Sequence, residues 1–558
     1  MSSSLNSHLA SKLFDSLRNG PFKEFICDYG LPIPKKLSRG MTLTLSLLFS
    51  SFLKRRLGPE KRVGVVLPAG LGGILSNLAL FLSDRIPVHL NFTLGNQINK
   101  EIIQRTSVKV VITATPIIQK FPEFPWPKEC ILVDQILKDF IQKRVVIFFT
   151  YMMVLILPKW VHSRFDIPRI GGSKTAVLLF TSGSSGKPKG VPLSHCNILS
   201  NCEQMLSLHL FEEDTKVLLN LPFFHSFGLC VGMIFSTLRG MALVCTPSPL
   251  DSKLSLKAIR EQKVEILLGT PTFLRGYLNL AKEDDLLSLK YVVSGAEKSP
   301  PGFSVQWENK VGCEYLEGYG LTETSPAISF NLLGHQKREG SVGRLLQGIE
   351  CKTIDPDSGN ETNPQEGGVL CFRGPNIFSG YWEDEVLSKE VLGSDGWFRT
   401  GDIGRLDEDG FLWIEGRASR FSKIGGEMVP HAKVEEEILA MLNQPTEEQP
   451  NLVVCAVQDE QKGERLIVMS TFHINSKDLK LKLRDKGIPN LWIPKVFVVV
   501  EKIPTLGTGK LDWQSIRVLA SGFDTSGLEC LGCETSRLVG RPGLEPGTNG
   551  LKGHCSTD

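Results

Sequence analysis

The stretch Leu178-Leu179-Phe180-Thr181-Ser182-Gly183-Ser184-Ser185-Gly186-Lys187-Pro188-Lys189-Gly190-Val191 decides how this chain is read. An apolar, β-prone run, Ala176 to Phe180, feeds directly into a loop of Thr, Ser, Gly and Lys. Such a loop combines unpaired backbone N–H groups, hydroxyls and two ammonium groups, which together suit a polyphosphate. Glycines at 183, 186 and 190 let the backbone approach an anion with no Cβ in the way. It is not the helix-opening phosphate loop, because only two residues separate Gly183 from Gly186 and Pro188 follows Lys187. A proline there removes a donor and biases Lys187 away from helix. Taken alone, a glycine-serine loop also reads as a flexible surface linker, so the flanking sequence has to decide.

Working outward, residues 62–70 and 108–114 read as buried strands ending in turns, with helices over 72–82 and 97–106 between them. The alternation recurs with strands at 216–221, 242–245, 264–269 and 291–294. That pattern predicts α/β layers built on parallel sheet. After about residue 340, short strands rich in Gly, Asp and Pro (349–354, 368–373, 411–415) predict a β-rich subdomain. From Arg417 onward, helices over 432–442 and 477–486 alternate with strands over 452–457, 466–472 and 495–501, a small α+β unit. Beyond residue 520 hydrophobic periodicity is lost and Gly, Ser, Cys and Pro accumulate, so 521–558 is expected to be a disordered tail. Its Cys530, Cys533, His554 and Cys555 match no familiar zinc spacing.

At 558 residues the chain exceeds one ordinary core. Its composition, 41% hydrophobic and 22% charged, is that of a soluble globular protein, and a net charge of +3 gives no argument for nucleic acid as a partner. Thirteen scattered cysteines and no basic-then-apolar start at Met1–Asn6 point to free thiols in a reducing cytoplasm. One stretch, Val145 to Leu157, is almost wholly apolar, ends at Pro158, and is shorter than the roughly 20 residues needed to span a bilayer. Lys143 and Arg144 before it, and Lys159 and Trp160 after it, suit a membrane interface. Two readings therefore stand: peripheral contact with the inner face of the cytoplasmic membrane, or an element packed inside the protein.

Five further segments give the phosphate-like loop its context. They are Leu221-Pro222-Phe223-Phe224-His225-Ser226-Phe227-Gly228, Glu317-Gly318-Tyr319-Gly320-Leu321-Thr322-Glu323-Thr324-Ser325-Pro326, Trp397-Phe398-Arg399-Thr400-Gly401-Asp402, Gly416-Arg417-Ala418-Ser419-Arg420 running on to Glu427, and Pro504-Thr505-Leu506-Gly507-Thr508-Gly509-Lys510. In this order they resemble the adenylate-forming (AMP-forming) superfamily of acyl-CoA synthetases, luciferases and peptide-synthetase adenylation domains, over about residues 40–515. Within it the chain is most similar to the synthetase half of bacterial acyl–acyl-carrier-protein synthetase/2-acylglycerophosphoethanolamine acyltransferases, on Leu221–Leu229, Tyr291–Lys298, Gly374–Ile377, Gly416–Val429 and Gly487-Ile488-Pro489. The fold so implied is an AMP-binding N-terminal domain over 1–415, β-rich at about 340–415, and a mobile C-terminal domain over 416–520.

The resemblance implies a two-step reaction: a fatty carboxylate attacks the α-phosphate of Mg-ATP, and a phosphopantetheine thiol then displaces AMP. The first step sets an anion against a polyanion, so fixed positive charge, a divalent cation and positioning carry it. Carried over residue by residue, Thr181, Ser182, Gly183, Ser184, Gly186 and Lys187 hold the β- and γ-phosphates. Thr322 contacts the α-phosphate and Glu323 ligates Mg²⁺. Tyr319, followed by Gly320, stacks on adenine, with Gly295, Ala296 and Glu297 as the facing wall. Asp402 accepts the ribose hydroxyls and Arg417 sits near ribose and phosphate. Lys510 bridges the α-phosphate and the carboxylate, His225 gates the acyl pocket, and Gly425 and Gly426 face the pantetheine arm after domain rotation.

The sequence departs from that pattern after the hinge arginine. Most acyl-CoA synthetases carry Lys-Asp or Lys-Glu there, whereas this chain has Ser419 and Arg420. An added cation favours an acidic acyl carrier protein over CoA as acceptor. The His-x-x-x-x-Asp pair of the related acyltransferase domain is matched only by His209 and Asp214, inside the synthetase region, so activation without acyl transfer to lipid is expected. The alternatives are a long-chain acyl-CoA synthetase using CoA, and a non-enzymatic lipid-binding scaffold with a decayed nucleotide site.

Overall fold

The computed structural model describes residues 6–58, 61–94, 96–182, 188–356, 358–424, 427–442, 450–459, 463–505 and 511–523. The chain divides into a larger unit running through Ser419 and a smaller one beginning at Arg420. The tail from residue 524, with its four candidate zinc ligands, lies outside the described residues.

The larger unit is built on three sheets. One has six strands, in the order Glu129–Leu132, Val110–Thr113, Arg62–Val65, Ile86–His89, Thr175–Ser182 and Pro188–Ser194. Neighbours are parallel except the last pair, a hairpin that sets Thr181 opposite Lys189 and Ser182 opposite Pro188. Ala176 to Leu179 are all buried, which is why the run is apolar without alternation: helices cover both faces of a parallel sheet. Pro188 opens a returning strand rather than a helix, in keeping with its missing N–H and the bias it puts on Lys187.

The second sheet has nine strands, among which Glu24–Asp28, Ala242–Cys245, Lys216–Leu219, Ile266–Gly269, Tyr291–Ser294 and Glu314–Gly320 run parallel in that spatial order. Strand 24–28 carries no period that separates it from its surroundings, and tertiary pairing with 242–245 defines it. Asp28 at its end accepts the backbone N–H of Leu71 at 2.7 Å and so satisfies an otherwise orphaned donor at the start of helix Leu71–Leu82. Burial pushes the Asp28 carboxyl above the usual range against these two backbone donors, Leu71 and Gly30. The third sheet, five-stranded and antiparallel, orders Glu361–Thr362, Glu350–Ile354, Gly368–Arg373, Phe398–Leu406 and Leu412–Arg417, which is the β-rich region.

The apolar stretch forms helix Arg144–Ile156. Thr150 and Val154 are buried and Ile147 and Met153 pack against the core, but Val145, Val146, Phe148, Phe149 and Ile156 are exposed. An element wholly packed inside the protein is therefore corrected: the core takes one face and leaves the other out. No helix among the described residues is long and apolar enough to cross a membrane.

In the smaller unit, helices His431–Met441, Ser476–Asp485 and Trp513–Ser521 accompany a sheet of Leu452–Asp459, Gly463–Ser470 and Val496–Val499. Val454, Val468, Leu479 and Leu483 are among its core residues, each such burial contributing about 1.5–3 kcal/mol. Arg420 is not a free surface cation there. Its Nη2 donates to Glu435 Oε1 at 2.5 Å, its guanidinium lies 4.3 Å from the Trp513 ring centroid, and the side chain is 18% exposed.

Candidate active site

The carboxyl ends of neighbouring parallel strands form the rim of the site, the place where open α/β sheets bind ligands. Strands Tyr291–Ser294 and Glu314–Gly320 pair with Ser294 opposite Glu317, which sets Gly295 beside Gly318–Gly320. A side chain at Gly320 would lie 1.9 Å from the Pro326 carbonyl, so the turn closes only around glycine. Thr322–Thr324 form one 3₁₀ turn. Asn376 pins that turn by donating from Nδ2 to the Thr324 carbonyl at 2.8 Å, and Ser325 Oγ donates to the Asn376 carbonyl at 2.9 Å.

Asp402, on strand Phe398–Leu406 of the five-stranded sheet, faces this rim and is 3% exposed. Tyr319 Oη donates to its Oδ2 at 2.5 Å and Arg417 Nε approaches Oδ1 at 2.8 Å. Each oxygen keeps a further lone pair, so the carboxylate has room for two more donors. Burial pushes the Asp402 carboxyl above the usual range, against the opposing pull of Arg417 and the Tyr319 hydroxyl. Burial, followed by the Asp402 charge, likewise raises the Tyr319 phenol well above its ordinary value.

Glu323 stands on the same turn, with its Oε1 accepting the Tyr381 hydroxyl at 2.9 Å. Burial and then the Glu323 charge push the Tyr381 phenol upward. Lys189 Nζ lies 5.4 Å from the Tyr381 ring centroid, and Trp382 N–H donates to the Gly190 carbonyl at 2.8 Å. The returning strand of the phosphate-like hairpin thus touches the residue that holds Glu323. Ser226 Oγ donates to Thr322 Oγ1 at 3.4 Å, and the next residues, Phe227–Phe235, form a π-helix. His225 precedes it, its ring 4.8 Å from that of Phe224.

Tyr319, Gly320, Thr322, Glu323, Asp402 and Arg417 are therefore gathered, with Gly295 adjoining and Thr181 at the end of its strand. Ala296 takes a positive φ of 67°, and Glu297 turns away to accept the Thr272 hydroxyl at 2.7 Å. Gly183, Ser184, Gly186, Lys187, Gly425, Gly426 and Lys510 lie outside the described residues, as does the side chain of Ser182. Asp214 binds Arg39 at 2.7 Å and Lys23 at 2.5 Å, which accounts for it without His209. Sequence reasoning missed Ser226 and Tyr381, and took Lys189 only as one of the loop's two ammonium groups. For Tyr381 the available signal was an aromatic pair, Tyr381-Trp382, after Gly380.

The chain matches the AMP-binding enzyme family over residues 23–382. It is 29% identical over 537 residues to the long-chain-fatty-acid–CoA ligase of Bacillus subtilis (strain 168), spanning 91% of this chain and 93% of that one. It is 32% identical over 351 residues to the mitochondrial medium-chain acyl-CoA ligase ACSF2 of Bos taurus, spanning 61% of this chain and 56% of that one. Among solved structures, ATP-bound MatB from Rhodopseudomonas palustris superposes with a TM-score of 0.75 at 23% identity, covering 93% of this chain and 99% of MatB. MenE of Bacillus subtilis with ATP and magnesium ion superposes with a TM-score of 0.73 at 21% identity, covering 92% and 99%. Fold and site together define an adenylate-forming enzyme. The chain belongs to the AMP-binding enzyme family and is an AMP-forming acid–thiol ligase.

Proposed function

We propose that the protein activates a fatty acid with ATP and Mg²⁺ through an acyl-adenylate and passes the acyl group to the phosphopantetheine thiol of an acyl carrier protein, feeding phospholipid synthesis. The observation that carries the first half is the buried Asp402, held by Tyr319 and Arg417, on the same rim as Glu323. In this reading the remaining lone pairs of Asp402 accept the ribose hydroxyls while Tyr319 offers its ring to adenine across from Gly295, Ala296 and Glu297. Glu323 fits the metal, since its carboxylate is anchored at one oxygen by Tyr381 and magnesium seeks oxygen ligands while keeping waters. That ion supplies charge neutralisation for the phosphates. Thr181, Ser182, Ser184 and Lys187, on and beside the glycines at 183 and 186, hold the outer phosphates, and Thr322 holds the inner one. A carboxylate oxygen then bonds to the α-phosphorus as its bond to the pyrophosphate oxygen breaks. Lys510, in the domain we assign to 416–520, offsets the charge of both partners.

An acyl chain is supported by a largely apolar cavity of about 40 Å³ lined by Phe235, Leu268, Val293, Phe330 and Leu346, with Ser236 its one hydroxyl. It holds about one water-sized group as it stands, so a chain enters only as these side chains move, and in this reading His225 gates that entry. In the second step the thiol sulfur attacks the acyl carbon and AMP leaves, with Gly425 and Gly426 giving the pantetheine arm room. The setting we propose is cytoplasmic, with contact at the inner face of the membrane.

For the acceptor, Arg420 is spent on Glu435, and the support comes instead from helix Ser476–Asp485. Lys477 and Arg484 are exposed on it beside an exposed Leu481 and make no ion pair among the described residues, whereas Lys482 pairs with Asp478 at 2.8 Å and Lys486 with Glu437 at 2.6 Å, so the first two are the cations left to meet an acidic carrier. CoA is the second reading, favoured by relatives that are acyl-CoA ligases. Fatty-acid-dependent ATP–pyrophosphate exchange tests the activation, and thioester formation with each acceptor tests the transfer. Reversing Lys477 and Arg484 to Glu is expected to raise KM for acyl carrier protein about tenfold and leave CoA and exchange unaffected. Preference of the wild type for CoA would reject the carrier-protein assignment.

A further inference from the structure

We propose that the outer face of helix Arg144–Ile156, continued by Leu157 and Trp160, is a docking surface for a bilayer containing anionic lipid. This names the surface for the membrane contact put forward above, and it depends on neither the reaction nor the acceptor. Val145, Phe148, Phe149 and Ile156 are 59% to 67% exposed, and Val146, Leu157 and Trp160 about half. Single exposed hydrophobics need no explanation, but this is a contiguous patch on the order of several hundred Å², which a soluble protein covers with something.

The helix periodicity separates two functions. Positions 147, 150 and 154 face the core, and Tyr151 packs so close to Gly40 on helix Arg39–Arg56 that a Cβ there would meet its ring at 2.9 Å. Positions 145, 148, 149 and 156 face out and are large and apolar. The inner face therefore anchors the outer one on a rigid support. At 13 residues the helix is about 20 Å long, short of the ~30 Å hydrocarbon core, so it lies in the interface rather than crossing it.

Charge identifies the occupant. Between 143 and 169 the chain carries Lys143, Arg144, Lys159, Arg164 and Arg169 against the single acid Asp166. Lys143, Arg144, Lys159 and Arg164 are exposed and make no ion pair among the described residues. Cations rimming an apolar face, with Trp160 at one end, match the layering of acyl region and anionic headgroup. A second copy of this chain fits less well, because a two-fold contact would bring the same cations together across it.

The test is co-sedimentation of the full chain, without substrates, with vesicles of phosphatidylcholine alone or with phosphatidylglycerol added. Binding to the phosphatidylglycerol vesicles is expected, weakening as salt rises. Replacing Phe148→Gln together with Phe149→Gln, or Lys143→Glu together with Arg144→Glu, is expected to cut the partition constant at least tenfold. Being exposed, these positions leave the circular dichroism melting curve and the ATP–pyrophosphate exchange in detergent-free buffer unchanged. Absence of vesicle binding by the wild type, or equal binding by the variants, would overturn the proposal. So would light scattering that shows a dimer dispersed by the Phe148/Phe149 change without any vesicle binding. None of these three failures touches the ligase reading, which exchange measures separately.

Discussion

In the proposed reaction Asp402 serves a ligand against the interest of the fold. It is buried, and burial holds its carboxyl above the usual range despite Arg417 and Tyr319. A raised folded-state pKa means that the native state binds the proton more tightly than the unfolded chain does. The residue therefore costs no stability below the unfolded value of ~3.9 and an increasing amount as pH rises from there to the folded pKa. Arg417, whose side chain is 54% exposed, can be hydrated if its partner is lost. Asp402→Asn is thus expected to leave the melting temperature near neutral pH unchanged or higher. The same change removes a charged acceptor, worth about 10- to 150-fold in KM for ATP. In the wild type, KM for ATP should climb on acidification at a pH above that of an ordinary aspartate, and the variant should lose this dependence. A collapsed melting temperature with unaltered KM would show a structural role instead.

At the scale of an element, the π-helix Phe227–Phe235 is what the proposed reaction uses to link the acyl side of the site to the nucleotide side. It begins immediately after Ser226, which bonds Thr322, and Phe227 lies within 3.8 Å of a side chain placed at Gly295. Its entry turn is packed to contact: a Cβ at Gly228 would stand 2.4 Å from the Pro222 carbonyl oxygen and 2.6 Å from that of Leu221. Backbone atoms cannot rotate out of the way as a side chain can. Gly228→Ala should therefore cost about 1–3 kcal/mol in urea denaturation and depress exchange activity. Gly276→Ala, within helix Pro271–Leu280 and 3.4 Å from only the Ser252 hydroxyl, is the matched control. There the added methyl should be neutral or stabilise by up to about 1 kcal/mol.

On the scale of the molecule, the proposal divides the chemistry between the two units, and Lys510→Ala separates the half-reactions. If its charge serves the adenylation step, exchange should fall at least about 100-fold. Thioester formation from supplied acyl-adenylate should stay within about threefold, because that step has no pyrophosphate to release. Equal loss in both half-reactions would mean that the residue acts through folding or domain packing.

The alternation of apolar runs and helical periods was enough to place the α/β layers, the β-rich region and the small α+β unit, because burial on both faces or one leaves a local pattern. That Tyr319, Glu323, Asp402 and Arg417 belong to segments worth reading together was also legible, from the glycines and hydroxyls around each, and the fold does gather them. Tyr381 was not, because its value comes from the loop after strand Gly368–Arg373 laying it against Glu323, 58 residues away. Nor could the chain by itself show that Arg420 is engaged by Glu435 and Trp513. The same holds for helix Arg144–Ile156, apolar on every side, where composition leaves burial open. Local pattern determines which segments become helix or strand, whereas which face meets solvent and which charges are neutralised depends on neighbours that only tertiary packing supplies.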